Sequence, residues 1–173
     1  MLKGKTILIT GSSRGIGAAT ARLAKTYRAN VILHGRKESE ELEAIARELQ
    51  AEKIVCDIGD KESVMREVNK LLEKNIQIHC LANVAGEAKR APFLEMTDET
   101  WISLFQTNVL GTVHMCQAII PSMQKYKYGR IVNLGSIRAY VQGALSSRMA
   151  YSCTKASVVN LTAALAKEYA KDG

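Results

Sequence analysis

Short apolar, often β-branched runs alternate with helical patterns along the whole of this chain, and that alternation restricts the fold more than any other feature. The strand-like runs are residues 5–10, 30–34, 53–56, 78–83 and 130–134. Between and after them, residues 15–27, 38–50, 60–74, 98–125 and 149–171 carry helical periodicity. The first helix repeats Ile16, Ala19, Leu23 and Ala24, and the third places Val64, Val68 and Leu71 on one face. Asp60 and Asp98 read as N-caps, since a short side-chain oxygen there can accept from the first unpaired helical N–H groups. Strands of this length separated by helices build βαβ units, so the expected fold is α/β: a parallel sheet with helices on both faces. Such sheets bind ligands at the carboxyl ends of their strands.

At 173 residues the chain is expected as a single domain, residues 1–173, with room for a real core. No run approaches the roughly 18 consecutive apolar residues of a membrane span, and residues 1–5 lead straight into the first strand without the pattern of a signal peptide. Cys56, Cys80, Cys116 and Cys153 are scattered, with no Cys-x-x-Cys pair, and are expected as buried reduced thiols of a cytoplasmic protein rather than disulfides or metal ligands. The net charge of +7 suits phosphate-bearing partners. The basic residues are spread along the chain with no recognition motif, so neither a nucleic acid nor a membrane is expected as a partner.

The turn after the first strand reads Thr10-Gly11-Ser12-Ser13-Arg14-Gly15-Ile16-Gly17. A tight turn needs a residue without Cβ, and close approach of backbone to a pyrophosphate needs another. The helix that follows then offers free N–H groups and the positive end of its dipole. Gly11, Ser13, Arg14, Gly15, Ile16 and Gly17 are therefore candidate dinucleotide contacts. Sites that choose NAD carry an acid for the ribose hydroxyl about 20 residues further on. Here the second strand ends His34-Gly35-Arg36-Lys37, so Arg36, with Arg14 and Lys37, is placed for the 2′-phosphate of NADP(H). His34 reads as a strand-end residue, not a catalyst.

Tyr151 and Lys155 sit four apart at the start of the last helix, on one face. An ammonium beside a phenol favours the ionised form, which makes a usable general acid. Asn108 interrupts an apolar run (Leu104, Phe105, Val109, Leu110), and a buried Asn there needs partners.

These residues together resemble the short-chain dehydrogenase/reductase family. The glycine turn Gly11/Gly15/Gly17 matches its T-G-x-x-x-G-x-G; Asn83-Val84-Ala85-Gly86 matches its N-N-A-G, with Val84 in place of one Asn; Tyr151 and Lys155 match its Y-x-x-x-K. Within the family the chain looks most like the 3-oxoacyl-acyl-carrier-protein reductases. The resemblance implies a Rossmann-type doubly wound sheet lacking its last two strands, with Asp57 and its neighbour Ile58, Asn83, Ala85 and Gly86 joining the cofactor contacts. It implies Tyr151 as proton donor, Ser136 as a hydrogen-bond donor to the same oxygen, Lys155 on the ribose, and Asn108 holding a relay water. It further implies a carbonyl or acyl-thioester substrate, acyl carrier protein as a partner for the latter, and a homodimer or homotetramer through the last two long helices. Fifteen positions separate Ser136 from Tyr151, slightly more than the family's usual spacing, so the loop between them is expected to shape the substrate pocket through Arg138, Tyr140 and Arg148. The glycine after the last helix and the lack of a later Pro-Gly pair lead to the expectation that the natural chain is longer. A module that binds the nucleotide without turnover stays open as the other reading.

Overall fold

The computed structural model describes residues 2–140 and 146–173. In chain order the elements are β1 (Thr6–Ile9), α1 (Gly15–Thr26), β2 (Asn30–Gly35), α2 (Glu40–Leu49), β3 (Glu52–Val55), α3 (Lys61–Glu73), β4 (Cys80–Asn83), α4 (Asp98–Phe105), α5 (Gly111–Lys125), β5 (Arg130–Asn133) and α6 (Met149–Tyr169). The five strands form one parallel sheet in the order β3-β2-β1-β4-β5. The chain starts at the middle strand, runs outward to β3, then crosses to the other side of β1. That reversal opens a crevice beyond the carboxyl ends of β1 and β4, the place where such sheets bind ligands.

Alternation along β1 decides which helix covers which face. Leu8 points to a core shared with α3 and α5, through Val64, Val68, Leu71, Met115 and Ile119. Ile7 and Ile9 point the other way, into a core with Ala18, Ala21 and Ala24 of α1 and Leu42, Ile45 and Leu49 of α2. This is the doubly wound arrangement expected from the sequence. No helix among the described residues is long and apolar enough to cross a membrane.

Three local expectations need correction. The helical pattern over 98–125 is not one helix: α4 and α5 are joined by a π-turn, Gln106–Leu110. Asp98 is not the cap of α4; Thr97 is, with extended backbone and its hydroxyl accepting from the Thr100 N–H at 3.4 Å. Asp98 instead lies in the first turn, where its carboxylate faces the positive end of the dipole. Asp60 does cap α3, accepting from Glu62 and Ser63. The thiols also divide: burial pushes those of Cys56 and Cys116 up to about 11, while Cys153 is exposed on α6.

Candidate nucleotide and catalytic site

Thr10 anchors the first turn. Its hydroxyl accepts the N–H groups of Val84 (2.9 Å) and Ala85 (3.0 Å), binding the turn after β1 to the segment after β4. The glycines then answer to space. Gly11 has a positive φ of 65°, and a Cβ there would lie 2.8 Å from the Ala85 Cα. A Cβ on Gly17 would run into the Gly11 carbonyl and lie 2.9 Å from the Ser12 Cα. At Gly15, by contrast, a Cβ would meet no heavy atom within 4 Å, so the space over it is open.

The start of α1 differs from those of its neighbours. Ser39, Asp60 and Thr97 cap α2, α3 and α4 with side-chain oxygens. The N-cap of α1 is Arg14, which caps nothing, and its first turn holds no acid. The opening N–H groups of a helix have no intrahelical acceptor, so α1 presents them, with its dipole, to an anion from outside. Open space over Gly15 beside uncapped N–H groups fits a dinucleotide phosphate. Ser13 is half-buried in this turn, and Ile16 is 61% exposed at its rim.

Arg36 and Lys37 are exposed just past β2. The sequence shows no acid at the end of this strand, yet the fold brings one close. Glu41, on the first turn of α2, has its carboxyl held below the ordinary value by its own N–H, then the Ser39 hydroxyl, and more weakly by Arg14 and Lys37. Beyond β3, Asp57 is exposed and accepts the Gly59 N–H at 2.8 Å. Ile58 is buried, its side chain pressed toward Gly111 and its carbonyl bound to His114 at 2.9 Å. Any nucleotide contact by Ile58 is therefore through its N–H. Asn83 also faces inward: its Nδ2 donates to Asn133 Oδ1 at 2.8 Å, and Asn133 donates on to Thr162 of α6 at 2.9 Å.

The catalytic candidates gather at the carboxyl ends of β4 and β5. The π-turn carries Asn108 inward to 1% exposure. There Oδ1 accepts the Glu87 N–H (2.7 Å), and Nδ2 donates to the Glu87 carbonyl (2.9 Å) and to Thr154 Oγ1 (3.0 Å). Asn108 thus clamps the segment after β4 against α6. A Cβ on Gly86 would lie 3.1 Å from Asn108 Oδ1 and 3.8 Å from Lys155 Nζ, so these three residues converge. Lys155 is 4% exposed, donates to the Leu134 carbonyl at 2.6 Å, and lies 5.8 Å from the Tyr151 ring centroid. Burial lowers its pKa from the ordinary lysine value. Ser136 accepts the Arg138 N–H at 3.1 Å, which leaves its own O–H free to donate. The short turn it begins, Ile137–Ala139, packs against α6. Of the loop assigned to the substrate pocket, Arg138, Tyr140 and Arg148 flank residues 141–145, which lie outside the described residues.

Sequence reasoning passed over several residues that hold this site. Gln106 donates to the Gly59 carbonyl, His114 holds that of Ile58, and His34 holds Gly11. A polar side chain inside an apolar helical or strand pattern was the available signal, as it was for Asn108.

Comparison with known proteins agrees with this geometry. Residues 5–173 match the short chain dehydrogenase family. Oxidoreductase UcpA of Escherichia coli (strain K12) is 37% identical over 177 residues, covering 99% of this chain and 66% of that protein. The 3-oxoacyl-[acyl-carrier-protein] reductase FabG of Haemophilus influenzae is 35% identical, covering 99% and 71%. A gluconate 5-dehydrogenase from Burkholderia cenocepacia J2315, solved with NADP and tartrate, superposes with a TM-score of 0.94 at 29% identity, covering 99% and 68%. The chain therefore spans about two thirds of the length of relatives such as these. With the family matched over residues 5–173 and the glycine turn, Asn108, Ser136, Tyr151 and Lys155 all at the carboxyl ends of the strands, the chain belongs to the short-chain dehydrogenases.

Proposed function

We propose that this chain is the nucleotide-binding and catalytic part of an NADP(H)-dependent oxidoreductase that interconverts a carbonyl and a secondary alcohol. The observation that carries the reading is Lys155, a buried ammonium on one helical face with Tyr151 at the same sheet edge as the uncapped start of α1. The relative from Burkholderia cenocepacia, solved with NADP, supports the choice of nucleotide. So do the exposed Arg14 and Arg36.

The bound nucleotide would supply or take the hydride. Tyr151 would donate its phenolic proton to the carbonyl oxygen during reduction, and the Ser136 O–H would hydrogen-bond the same oxygen as charge builds on it. Lys155 donates one N–H to Leu134 and has two left, for the nucleotide ribose and the phenol side. Asn108 keeps Glu87 and Thr154 in place around it. The Gly11–Gly17 backbone and the α1 N-terminus would hold the diphosphate, with Asp57 and the Ile58 N–H toward the adenine. A 3-oxoacyl thioester is one substrate consistent with the FabG relative, and a keto acid or keto sugar acid is the one suggested by the gluconate 5-dehydrogenase. The same reading takes the protein as a cytoplasmic homo-oligomer.

The test is NADPH oxidation against a panel of 3-oxoacyl thioesters and keto acids, with Tyr151→Phe as the control. The Phe variant should bind NADPH like the parent and turn over about 10²–10⁴ times more slowly. A Phe variant with most of its activity left on the best substrate rules out Tyr151 as the proton donor.

A further inference from the structure

His34 is 2% exposed at the end of β2 and is engaged on every polar atom. Its Nδ1 accepts the Gly11 N–H at 3.0 Å, and its Nε2 lies 3.0 Å from the Cys56 carbonyl. Its backbone closes a second set of bonds with the same turn. The His34 N–H donates to Ser12 Oγ at 2.8 Å, and the His34 carbonyl accepts from the Ser12 N–H at 3.0 Å. An acceptor at Nδ1 and a carbonyl at Nε2 admit a single neutral form, with the proton on Nε2.

The imidazole stands between the two loops that would meet a nucleotide. On one side is Gly11, at a φ of 65°, where an added Cβ would strike Ala85. On the other is Cys56, immediately before Asp57. Two residues beyond His34 is Arg36. We propose that His34 is a positioning residue for the nucleotide: it fixes the Gly11 peptide and ties the phosphate turn to the loop that carries Asp57. The inference rests on the nucleotide-binding reading above. Burial lowers the His34 pKa to about 4, against smaller opposing effects of the Cys56 carbonyl and Asp57, so the neutral form persists through the physiological range. Only a ring with two nitrogens on opposite sides makes both contacts at once; a shorter amide can make one.

That difference supplies the test, on the natural full-length chain. In His34→Asn the side-chain oxygen replaces Nδ1 and keeps the Gly11 bond. In His34→Gln the amide nitrogen reaches toward Cys56, and the Gly11 N–H loses its acceptor. Without its acceptor the Gly11 peptide holds the binding orientation for a smaller fraction of the time, and NADPH binding is expected to weaken roughly tenfold in the Gln variant. The Asn variant should stay within about threefold of the parent, since its bond to Gly11 is retained. In steady state the loss should appear in KM for NADPH, with kcat at saturating NADPH within about twofold, because a positioning residue for binding acts on ground and transition states alike. Equal affinity loss in both variants, or a Gln variant that binds like the parent, overturns the inference and leaves the nucleotide reading standing. A parent protein that binds neither NADPH nor NADH overturns both. Nitrogen-15 imidazole spectra of the parent give an independent check: the neutral Nε2–H tautomer at pH 7 is expected, and an Nδ1–H form refutes the proposed contact.

Discussion

Replacing Lys155 by methionine should make the protein more stable and all but inactive. Among the described residues Lys155 is the one buried lysine or arginine, and no carboxylate pairs with it. Burying an unpaired ammonium costs several kcal/mol even after relaxation. Its bond to the Leu134 carbonyl returns about 1.5–3 kcal/mol, and the Tyr151 ring at 5.8 Å returns at most about 1 kcal/mol. Methionine has the length to fill the space without the charge, and it leaves one carbonyl unpaired. The expected net gain is about 1–2 kcal/mol, and each kcal/mol raises Tm by roughly 2–4 °C in a domain of this size. The pH dependence fixes the sign. The folded-state pKa of Lys155 lies below its unfolded value, so between the two the unfolded chain holds the extra proton. Stability of the parent therefore climbs with pH through that window, which ends near ~10.4, and the methionine variant lacks this rise. Calorimetry of both proteins from neutral to alkaline pH tests it. A methionine variant that melts below the parent at pH 7, or a gap that fails to narrow as pH rises, shows the reasoning to be wrong.

Three further outcomes are expected. Gly17→Ala forces a Cβ onto the Gly11 carbonyl, backbone against backbone, so it should cost about 1–3 kcal/mol in denaturant unfolding and weaken NADPH binding together. Glu41→Gln removes a carboxylate facing Arg14 and Lys37 and should tighten NADPH by about two- to fivefold with NADH unchanged, as titration by fluorescence would read. Ile102 and Leu110 lie 65% and 41% exposed on the α4–α5 unit, so light scattering should find a dimer or larger, and Ile102→Asp should loosen it. A parent protein that stays monomeric at micromolar concentration argues against that interface.

The parts of the site that were legible in the sequence are those where the chain meets its own near neighbours. Residues 10–17 announce a turn because only glycine suits the φ at Gly11 and the contact at Gly17, and Asp60 announces a cap because it bonds two and three residues ahead. The rest depends on residues far apart in sequence. The π-turn adds a single residue to one coil, and the register shift it makes is hidden in a run that is apolar nearly all round. Thr97 and Asp98 are both good caps by type, and the direction of the incoming chain chooses between them. Glu41 approaches Arg14, and His34 approaches Gly11, only once β1, β2 and α2 are packed.

The division of the core into two faces also sets an order of assembly. On the side packed by α1 and α2, every fully buried residue but Ala82 comes from residues 7–49. On the opposite side the core draws on residues from Leu8 to Met123. During synthesis at about 5–20 residues per second, the first half-core, with the phosphate turn inside it, is complete in sequence seconds before Asn108 exists. Tyr151 and Lys155 follow later still. Until β4 arrives, the inner edge of β1 is an unpaired strand, and until α5 follows, Leu8 is covered by α3 alone. The nascent chain therefore holds the first turn and α1 before β4 arrives to anchor them through Thr10 and before any catalytic candidate exists, and its exposed strand at that stage is where a chaperone would be needed.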